Sequence, residues 1–337
     1  MNNLKTSDSA FRAVIAGTGS FIPEKQLTNE DLTKMVETND EWITTRTGIK
    51  VRHIASDEQS TALLAAEAAK RAIQQAKINA EDIEMIITAT ITPEMVFPST
   101  ACFVQNMLGA KKAWAFDLSA ACSGFVYALS IAQQFVSSGK YDNVLIIGAE
   151  TLSKITDYKD RKSCILFGDG AGAAVIKRGD KKGPKGIIYS TSGSDGAGWT
   201  ALNCPAYGSR HPVGKPLENP NSVYMYINGR EVYQLAVRKI IETVEDCLTN
   251  CGISTGDIDL FIPHQMNARI IESVAKRLEL PSEKVFINID KYGNTSAASI
   301  PIALDECMRQ GRIKKGDIVL LVAFGGGLTW GANVIEF

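Results

Sequence analysis

Residues 78–87 read INAEDIEMII and residues 253–262 read ISTGDIDLFI, so one pattern occurs twice, 253 − 78 = 175 positions apart. Each copy consists of a short loop, an Asp-Ile pair and a continuous apolar run, and such a run predicts a buried strand. A repeat on this scale predicts that the chain is built from two equivalent halves.

Other segments repeat at a similar spacing. The pairs are Gly139 with Gly311, the strand 144–147 with 318–322, and AGAAVI at 171–176 with WGANVI at 330–335. Amphipathic helices are predicted over residues 121–138, 231–250 and 299–310. Each half is therefore expected to run strand, helix, strand, helix, strand, strand. Apolar runs without alternation, interleaved with helices, indicate mostly parallel sheets covered on both faces.

These features predict an α/β fold with two pseudo-symmetric halves. The N-terminal half is expected at 11–180 and the C-terminal half at 185–337, after a polar tail at 1–10. Residues 177–186, KRGDKKGPKG, are interpreted as a solvated linker, with a basic docking patch as the alternative.

The composition is that of an ordinary soluble globular protein. The net charge is 36 − 37 = −1, with 45 % hydrophobic and 22 % charged residues. This balance excludes a disordered chain and argues against a dedicated nucleic-acid binder. No apolar run reaches the roughly 18–20 residues that span a bilayer, and no secretory signal is present. We therefore expect a cytoplasmic protein without membrane insertion.

The chain has seven cysteines, an odd number, and they are interpreted as free thiols of a reducing compartment. Cys247 and Cys251 lie four positions apart, but with three histidines in the chain no zinc set is evident. Cys122 differs because DLSAACSG, residues 117–124, leaves a predicted strand and opens a helix. A helix N-terminus favours the thiolate, so Cys122 is a candidate nucleophile. The alternative is a buried structural cysteine, which is also how the other six are interpreted.

His264 follows the apolar run 261–263 directly, which places its ring at the rim of a sheet. A general base or hydrogen-bond donor would sit there, and a satisfied core histidine is the alternative. His53 and His211 are interpreted as structural or surface residues. Asn294 also precedes a helix, and 294 − 122 = 172 matches the repeat offset. The repeat therefore predicts that Asn294 occupies the position equivalent to Cys122, unless it merely caps a turn.

Three glycine-rich segments need separate interpretations. FGGG at 324–327 follows a predicted strand, where its amides could form an oxyanion hole, and a plain turn is equally compatible. FGDGAG at 167–172 runs into a strand and is interpreted as a structural bend. GTGSFI at 17–22 lacks the third glycine of a dinucleotide fingerprint, so a Rossmann dehydrogenase is not expected.

From about residue 14 to residue 337 the chain resembles the type III 3-oxoacyl-[acyl-carrier-protein] synthases, members of the thiolase-like condensing enzymes. Seven motifs in family order carry this resemblance: GTGSFIPE (17–24), NDEWITTRTGI (39–49), DLSAACSGF (117–125), FGDGAGAA (167–174), PHQMNARI (263–270), KYGNTSAASIP (291–301) and AFGGGLTWG (323–331). The resemblance implies a thiolase-like fold with mixed, mostly parallel sheets in a layered αβαβα arrangement. It also implies a decarboxylative condensation of an acyl-CoA primer with malonyl-acyl carrier protein, without a cofactor or metal.

The resemblance also assigns residues. Cys122 would take the acyl group, with the backbone N–H groups of Cys122 and Gly326 holding the oxyanion, and His264 and Asn294 would donate hydrogen bonds to the malonyl thioester oxygen. The implied CoA contacts are Trp42, Arg46, Arg161 and Asn267. The implied carrier-protein contacts are Gln265, Arg269, Lys276 and Arg277. Phe97 resembles the residue that closes the partner's acyl pocket, which implies a homodimer.

The sequence departs from the family pattern at Gln234, where several members have a basic residue facing the carrier protein. Arg238 lies one turn further on and could compensate for it. Residues 207–221 form a longer loop than in compact members. Three other functions stay open: a related synthase of a secondary pathway, a cysteine hydrolase using Cys, His and Asn, and a non-catalytic acyl-binding module. The primer is not fixed by the sequence.

Overall fold

The structure, a computed structural model, describes residues 11–180, 185–206 and 208–337. The predicted tail at 1–10, residues 181–184 of the predicted linker and Tyr207 of the long loop lie outside the described residues.

The strands are β1 (Arg12–Phe21), β2 (Gln26–Thr28), β3 (Val51–His53), β4 (Met85–Ala89), β5 (Trp114–Leu118), β6 (Asn143–Glu150), β7 (Gly170–Gly179), β8 (Gly186–Ser194), β9 (Leu202–Asn203), β10 (Tyr226–Ile227), β11 (Leu260–Pro263), β12 (Ile318–Gly325) and β13 (Thr329–Glu336). The helices are α1 (Asn29–Thr33), α2 (Asp40–Thr47), α3 (Thr61–Ala76), α4 (Thr100–Leu108), α5 (Gly124–Ser137), α6 (Gly229–Cys251), α7 (Ala268–Arg277), α8 (Ile289–Tyr292) and α9 (Ser299–Arg309). Two 3₁₀ turns, Ala121–Ser123 and Ser296–Ala298, lead into α5 and α9.

Two mixed sheets form the frame of the molecule. One has the order β1-β7-β6-β4-β5, and the other has the order β11-β12-β13-β8. Within the described strands of these sheets, three pairings are parallel (β4 with β5 and β6, and β11 with β12) and four are antiparallel. The mixed sheets were predicted, but the expectation that they are mostly parallel is wrong. The runs are apolar because helices cover both faces, and that burial does not depend on strand direction.

The helices lie in three layers around the two sheets. Buried residues of α5 and α9 form one cluster with inward-facing residues of both sheets. A second cluster joins α3 and α4 to the first sheet, and a third joins α6 and α7 to the second sheet. This is the αβαβα arrangement that the family resemblance implied. Each half contributes three layer helices, whereas the sequence pattern predicted two. The helix that the sequence pattern missed in the first half is α4, which is short. Its buried residues are Thr100, Ala101 and Val104, so its apolar periodicity is weak.

The two halves repeat in structure as they do in sequence. The strands β4 and β11 begin 260 − 85 = 175 residues apart, and α5 and α9 begin 299 − 124 = 175 residues apart. The 3₁₀ turns before these helices are also offset by 175 residues. The counterpart of β5 in the second half is reduced to a bridge between Phe261 and Val285. The pseudo-symmetric organisation was therefore predicted correctly.

Two of the glycine-rich segments have packing roles. A Cβ on Gly17 or Gly19 would lie within 2.5 Å of backbone atoms of α3, so these glycines let β1 lie directly against that helix. Gly172 in β7 also lies close to α9, with the nearest backbone atom 2.7 Å from where a Cβ would stand. Neither segment opens a helix, which agrees with the interpretation of 167–172 as a structural bend and with the absence of a dinucleotide fingerprint at 17–22.

Candidate active site

Three predicted residues line one cleft of about 2620 Å³. Cys122 lies in the 3₁₀ turn between β5 and α5, His264 follows β11 directly, and Asn294 lies between α8 and the turn before α9. The ends of β11 and of the strand before α5 carry their residues into the same space. The structure therefore brings together the three side chains that the sequence singled out.

Cys122 is only 8 % exposed, and its surroundings disfavour the thiolate. Burial raises the pKa of its thiol to about 12, the nearby Ser296 hydroxyl lowers it, and the Glu150 carboxylate raises it further. The helix α5 begins two residues later, at Gly124. Desolvation therefore opposes the stabilisation of the thiolate that the helix N-terminus is expected to give.

His264 is held by its backbone, while its ring is left without protein partners. The backbone N–H donates to Val322 O at 2.8 Å, which fixes the residue to β12. Both ring nitrogens are buried, and neither has a hydrogen-bond partner within the described part of the chain. Burial also lowers the pKa of His264 to about 3, so the ring is neutral near pH 7. This excludes a satisfied core histidine and fits a ring that donates a hydrogen bond to a ligand.

Hydrogen bonds hold the backbone and the side-chain oxygen of Asn294, and they leave its side-chain NH₂ group available as a donor. Its backbone N–H donates to Leu166 O and its carbonyl accepts from Gly168 N, at 2.9 and 3.1 Å. Oδ1 accepts from the Ser296 N–H at 2.9 Å, which is the capping role weighed as an alternative. Nδ2 makes no hydrogen bond to any residue that the structure describes, and the side chain lines the cleft. A neutral donor is thus available beside His264.

The predicted equivalence of Asn294 and Cys122 is wrong by three residues. The turns Ala121–Ser123 and Ser296–Ala298 correspond at an offset of 175, and Ala121 and Ser296 share an unusual positive φ of 45° and 48°. Cys122 therefore matches Ala297, and Asn294 matches Ser119. The cysteine and asparagine meet because the two turns pack against each other. The general offset of 172 to 175 was too coarse to fix single positions.

Gly325 and Gly326 bring the end of β12 to the nucleophile. A Cβ on Gly325 would lie 2.7 Å from Cys122 N and 2.9 Å from Cys122 Cβ, so only a glycine allows this approach. Gly326 lines the cleft next to it. Thr329 Oγ1 donates to Ala120 O at 2.9 Å and ties the following turn to the same place. The segment 324–327 is thus more than a plain turn.

The proposed CoA contacts lie together on the rim of the cleft. The Trp42 ring has the Arg46 guanidinium 4.8 Å from its centroid and the Arg161 guanidinium 4.9 Å from it. Asn267 Nδ2 donates to Arg46 O at 3.0 Å and so joins α7 to this group. All four side chains line the cleft. The arrangement offers an aromatic surface with positive charge, which suits a nucleotide with phosphates.

The four predicted carrier-protein contacts do not form one surface. Gln265 is only 1 % exposed, and its amide donates to Pro263 O and Phe286 O and accepts from Asn288 N. That prediction is wrong, because the side chain is used to hold the His264 segment in place. Arg269 lines the cleft, whereas Lys276 and Arg277 are exposed at the other end of α7.

Further residues of the cleft were missed or left without a role by sequence reasoning. Gln234, Arg210 and His211 line it, and the Arg210 guanidinium lies 4.9 Å from the Trp199 ring centroid. Glu150 does not line the cleft and is fully buried. The signal for Glu150 was weak, since a single glutamate at the end of an apolar run does not reveal whether it is buried.

Among the described residues, the remaining cysteines and histidines do not form a second candidate site. All seven cysteines are free, but Cys102 and Cys204 are exposed, so the interpretation of six packing cysteines is wrong for these two. His53 is partly buried, with Nδ1 2.5 Å from Pro23 O, and is structural as predicted. Within the described ranges there is no group of three or more metal-ligating side chains, and no helix is long and apolar enough to cross a membrane.

Comparison with known proteins identifies the class of protein as an acyl-transferring condensing enzyme. Residues 116–196 match the family model "3-Oxoacyl-[acyl-carrier-protein (ACP)] synthase III", and residues 248–337 match the model of its C-terminal part. Beta-ketoacyl-[acyl-carrier-protein] synthase III of Caldanaerobacter subterraneus subsp. tengcongensis is 57 % identical over 325 residues, which cover 96 % of this chain and 98 % of that protein.

Solved structures agree with this relationship. The crystal structure of 3-oxoacyl-[acyl-carrier-protein] synthase III from Aquifex aeolicus superposes with a TM-score of 0.89 at 48 % identity, covering 96 % of this chain and 100 % of that one. The priming beta-ketosynthase of the R1128 polyketide pathway also reaches 0.89, at 32 % identity, covering 100 % of this chain and 99 % of that one. The chain belongs to the 3-oxoacyl-[acyl-carrier-protein] synthase III family, the thiolase-like condensing acyltransferases that initiate fatty-acid biosynthesis.

Proposed function

We propose that Cys122, His264 and Asn294 divide the condensation of an acyl-CoA primer with malonyl-acyl carrier protein into two half-reactions. In the first, Cys122 Sγ attacks the thioester carbon, and the backbone N–H groups of Cys122 and Gly326 stabilise the oxyanion. CoA leaves as a thiol and the acyl group stays on Cys122. This half-reaction needs no resident cofactor, since both substrates arrive as thioesters.

In the second half-reaction the malonyl group loses carbon dioxide, and the resulting carbanion attacks the acyl-Cys122 carbonyl. Charge develops on the malonyl thioester oxygen, and donors placed there lower the barrier. The observation that carries this assignment is the pair of unpartnered groups in the cleft: a buried neutral imidazole and the Asn294 amide. Because burial lowers the pKa of His264 to about 3, the ring stays neutral near pH 7 and keeps one N–H group as a donor.

The same geometry argues against a papain-like hydrolase. In that class the asparagine orients the histidine through a hydrogen bond. Here neither ring nitrogen of His264 has a partner within the described ranges, and Asn294 Oδ1 is engaged by Ser296. The intact nucleophile and donors likewise argue against a binding module without catalysis. A synthase of a secondary pathway remains the second candidate, because the R1128 priming enzyme has a similar fold.

The experiment that tests the function uses acetyl-CoA labelled in the acetyl group together with malonyl-acyl carrier protein. Label on Cys122, followed by carbon dioxide release and a labelled 3-oxoacyl-carrier protein, supports the proposal. Labelled free acetate without condensation supports a hydrolase instead. Repeating the assay with branched and longer primers, and with other acceptors, distinguishes a primary from a secondary pathway.

We assign the nucleotide end of CoA to Trp42, Arg46, Arg161 and Asn267, and the carrier protein to Arg269 and its neighbours. Replacing Trp42 by Ala removes the ring between the two guanidinium groups and is expected to raise KM for acyl-CoA about tenfold. Arg269→Ala is expected to raise KM for malonyl-acyl carrier protein, with a smaller effect at high salt. Each variant is the control for the other, and a rise in both constants with either variant contradicts the division.

We also propose that the enzyme is a cytoplasmic homodimer. The strand β5 is the edge of its sheet, and the nearby side chains of Val96 and Phe97 are 85 % and 81 % exposed. Apolar side chains of that size beside an unpaired edge favour a second copy of the chain as their cover. Phe97→Asp is expected to shift sedimentation from dimer to monomer, and a wild-type monomer at micromolar concentration contradicts the proposal.

A further inference from the structure

Glu150 is a buried carboxylate without a cation. It ends β6 with no exposed surface, and its oxygens accept hydrogen bonds from Thr90, Ile91 and Thr92. The shortest of these bonds comes from the Thr92 hydroxyl at 2.6 Å. Within the described residues, Glu150 has no basic partner. Isolated buried carboxylates are costly, so this one calls for an explanation beyond packing.

The strand geometry directs Glu150 towards the second half of the molecule. Side chains two apart on a strand share a face, so Glu150 points to the same side as the position of Gly148. A Cβ on Gly148 would lie 2.1 Å from Ala297 O. The turn Ser296–Ala298 therefore packs directly on this face of β6, and the same turn contacts the turn that carries Cys122.

Ser296 opens the turn that contacts both β6, which ends in Glu150, and the turn that carries Cys122. It is 2 % exposed with a φ of +48°, and its Oγ makes no hydrogen bond of standard geometry to the described residues. The Ser296 hydroxyl lowers the pKa of both the Cys122 thiol and the Glu150 carboxyl. A buried hydroxyl with no fixed partner is free to turn towards either group.

The protonation states in this cluster leave one suitable acceptor for the thiol proton. Burial raises the pKa of Glu150 to about 7, close to the ideal for a general base at neutral pH. Burial lowers the pKa of His264 to about 3, so its ring is a poor acceptor. The groups that face Glu150 are the Thr90 and Thr92 hydroxyls, the Ile91 N–H, Ser296 and Cys122, and of these only Cys122 titrates.

We propose that Ser296 and Glu150 form the proton path that activates Cys122 for acylation. As Sγ bonds to the thioester carbon, the S–H bond breaks, Ser296 Oγ takes the thiol proton and its own hydroxyl proton passes to the Glu150 carboxylate. When the C–S bond to CoA breaks, Glu150 returns a proton through Ser296, and the CoA thiolate leaves as the thiol. No other reactant is required. The path rests on the proposed acylation of Cys122 and has no part in decarboxylation.

The test measures single-turnover acylation of Cys122 by labelled acetyl-CoA between pH 5.5 and 9. Wild-type acylation is expected to rise with pH as Glu150 deprotonates near pH 7. Glu150→Gln removes that rise and slows acylation at pH 7.5 on the order of 10²-fold, the range of a lost general base. Ser296→Ala is expected to give a similar loss, and the double variant no further loss.

Thr88→Val is the matched control for Ser296→Ala. It also removes a buried hydroxyl without a partner, but on the face of β4 that packs on the outer helices. Its acylation rate is expected to equal that of the wild type. Condensation, started from enzyme already acylated, is expected to be unchanged in all three variants. If Glu150→Gln does not fold, Ser296→Ala carries the test alone.

Three results would overturn the proton path. The first is faster acylation and faster alkylation of Cys122 by iodoacetamide in Glu150→Gln. That result would mean that the Glu150 charge only destabilises the nearby thiolate and takes no proton from it. The second is no change in Ser296→Ala. The third is an equal loss in the acylation and condensation steps, which indicates a structural role. Absence of label on wild-type Cys122 would instead contradict the proposed function itself.

Discussion

Cys122→Ala is expected to give no detectable acyl-enzyme with any acyl-CoA, whereas Asn294→Ala is expected to be acylated at nearly the wild-type rate. The thiol is the group that forms the covalent bond, and no other cysteine lies in an equivalent turn. Asn294 contributes a donor to the malonyl thioester oxygen, which is present only in the second half-reaction. Losing one such donor slows condensation by roughly 10²–10³-fold. Quench-flow labelling measures the first step, and carbon dioxide release measures the second.

Two controls separate chemistry from folding in this comparison. Cys307→Ala removes another buried cysteine, from α9, and is expected to be acylated normally. Asn294→Asp keeps an oxygen that accepts the Ser296 N–H but loses the amide donor, so it is expected to lose condensation as Asn294→Ala does. Equal loss of both steps in the two Asn294 variants contradicts the division of labour.

The fold was predictable because the repeated loop contains its own folding signals. Asn79 with Asp82 and Ser254 with Asp257 form capping boxes at the 3₁₀ turns that lead into β4 and β11. These local hydrogen bonds determine where each strand begins. Both copies of the repeat keep the residues that form them, so the sequence pattern indicates the strand start in each half. Strand direction is set by how the strands are joined in space, and the apolar runs carry no record of it.

The candidate catalytic residues could be selected from the sequence by residue type and position, but the residues that surround them could not. Cys122 and His264 each follow a break from an apolar run to small or polar residues, which marks the rim of a sheet, and Asn294 precedes a predicted helix. Gln265 and Glu150 carry no comparable signal. Both are polar residues beside apolar runs, and only the packing of the two halves shows that both are buried. Their burial depends on contacts between residues far apart in sequence.

The ionisation of the Cys122 thiol could be predicted only in part from the sequence, because it also depends on residues far apart in the chain. A cysteine ahead of a helix suggests a thiolate, since the dipole effect is local and can be inferred from sequence. The opposing desolvation comes from β12, β13 and the turn before α9, which pack around the turn of Cys122 from other parts of the chain. Activation of the nucleophile therefore depends on the assembled site, and the glycine nearest to Cys122 offers a direct test of that dependence.

Gly325→Ala is expected to reduce acylation of Cys122 at least 10²-fold while the protein still folds. The added methyl would stand 2.7 Å from Cys122 N, 2.9 Å from its Cβ and 3.2 Å from its Cα, so every nearest atom belongs to the nucleophile's own residue. Thr329 ties the strand end to Ala120, so the two segments cannot separate freely. The nucleophile must move, and misplacement by about 1 Å costs on the order of 10²-fold in rate.

The cost in stability is expected to be about 1–3 kcal/mol, typical of overpacking, and urea unfolding measures it. Gly256→Ala is the control, since the nearest atom to its added methyl is the Ser254 hydroxyl at 3.5 Å and it lies far from the cleft in sequence and fold. It is expected to leave acylation unchanged. Wild-type acylation in a folded Gly325→Ala protein would show that Cys122 tolerates displacement, and the close approach of β12 would then not be what positions the nucleophile.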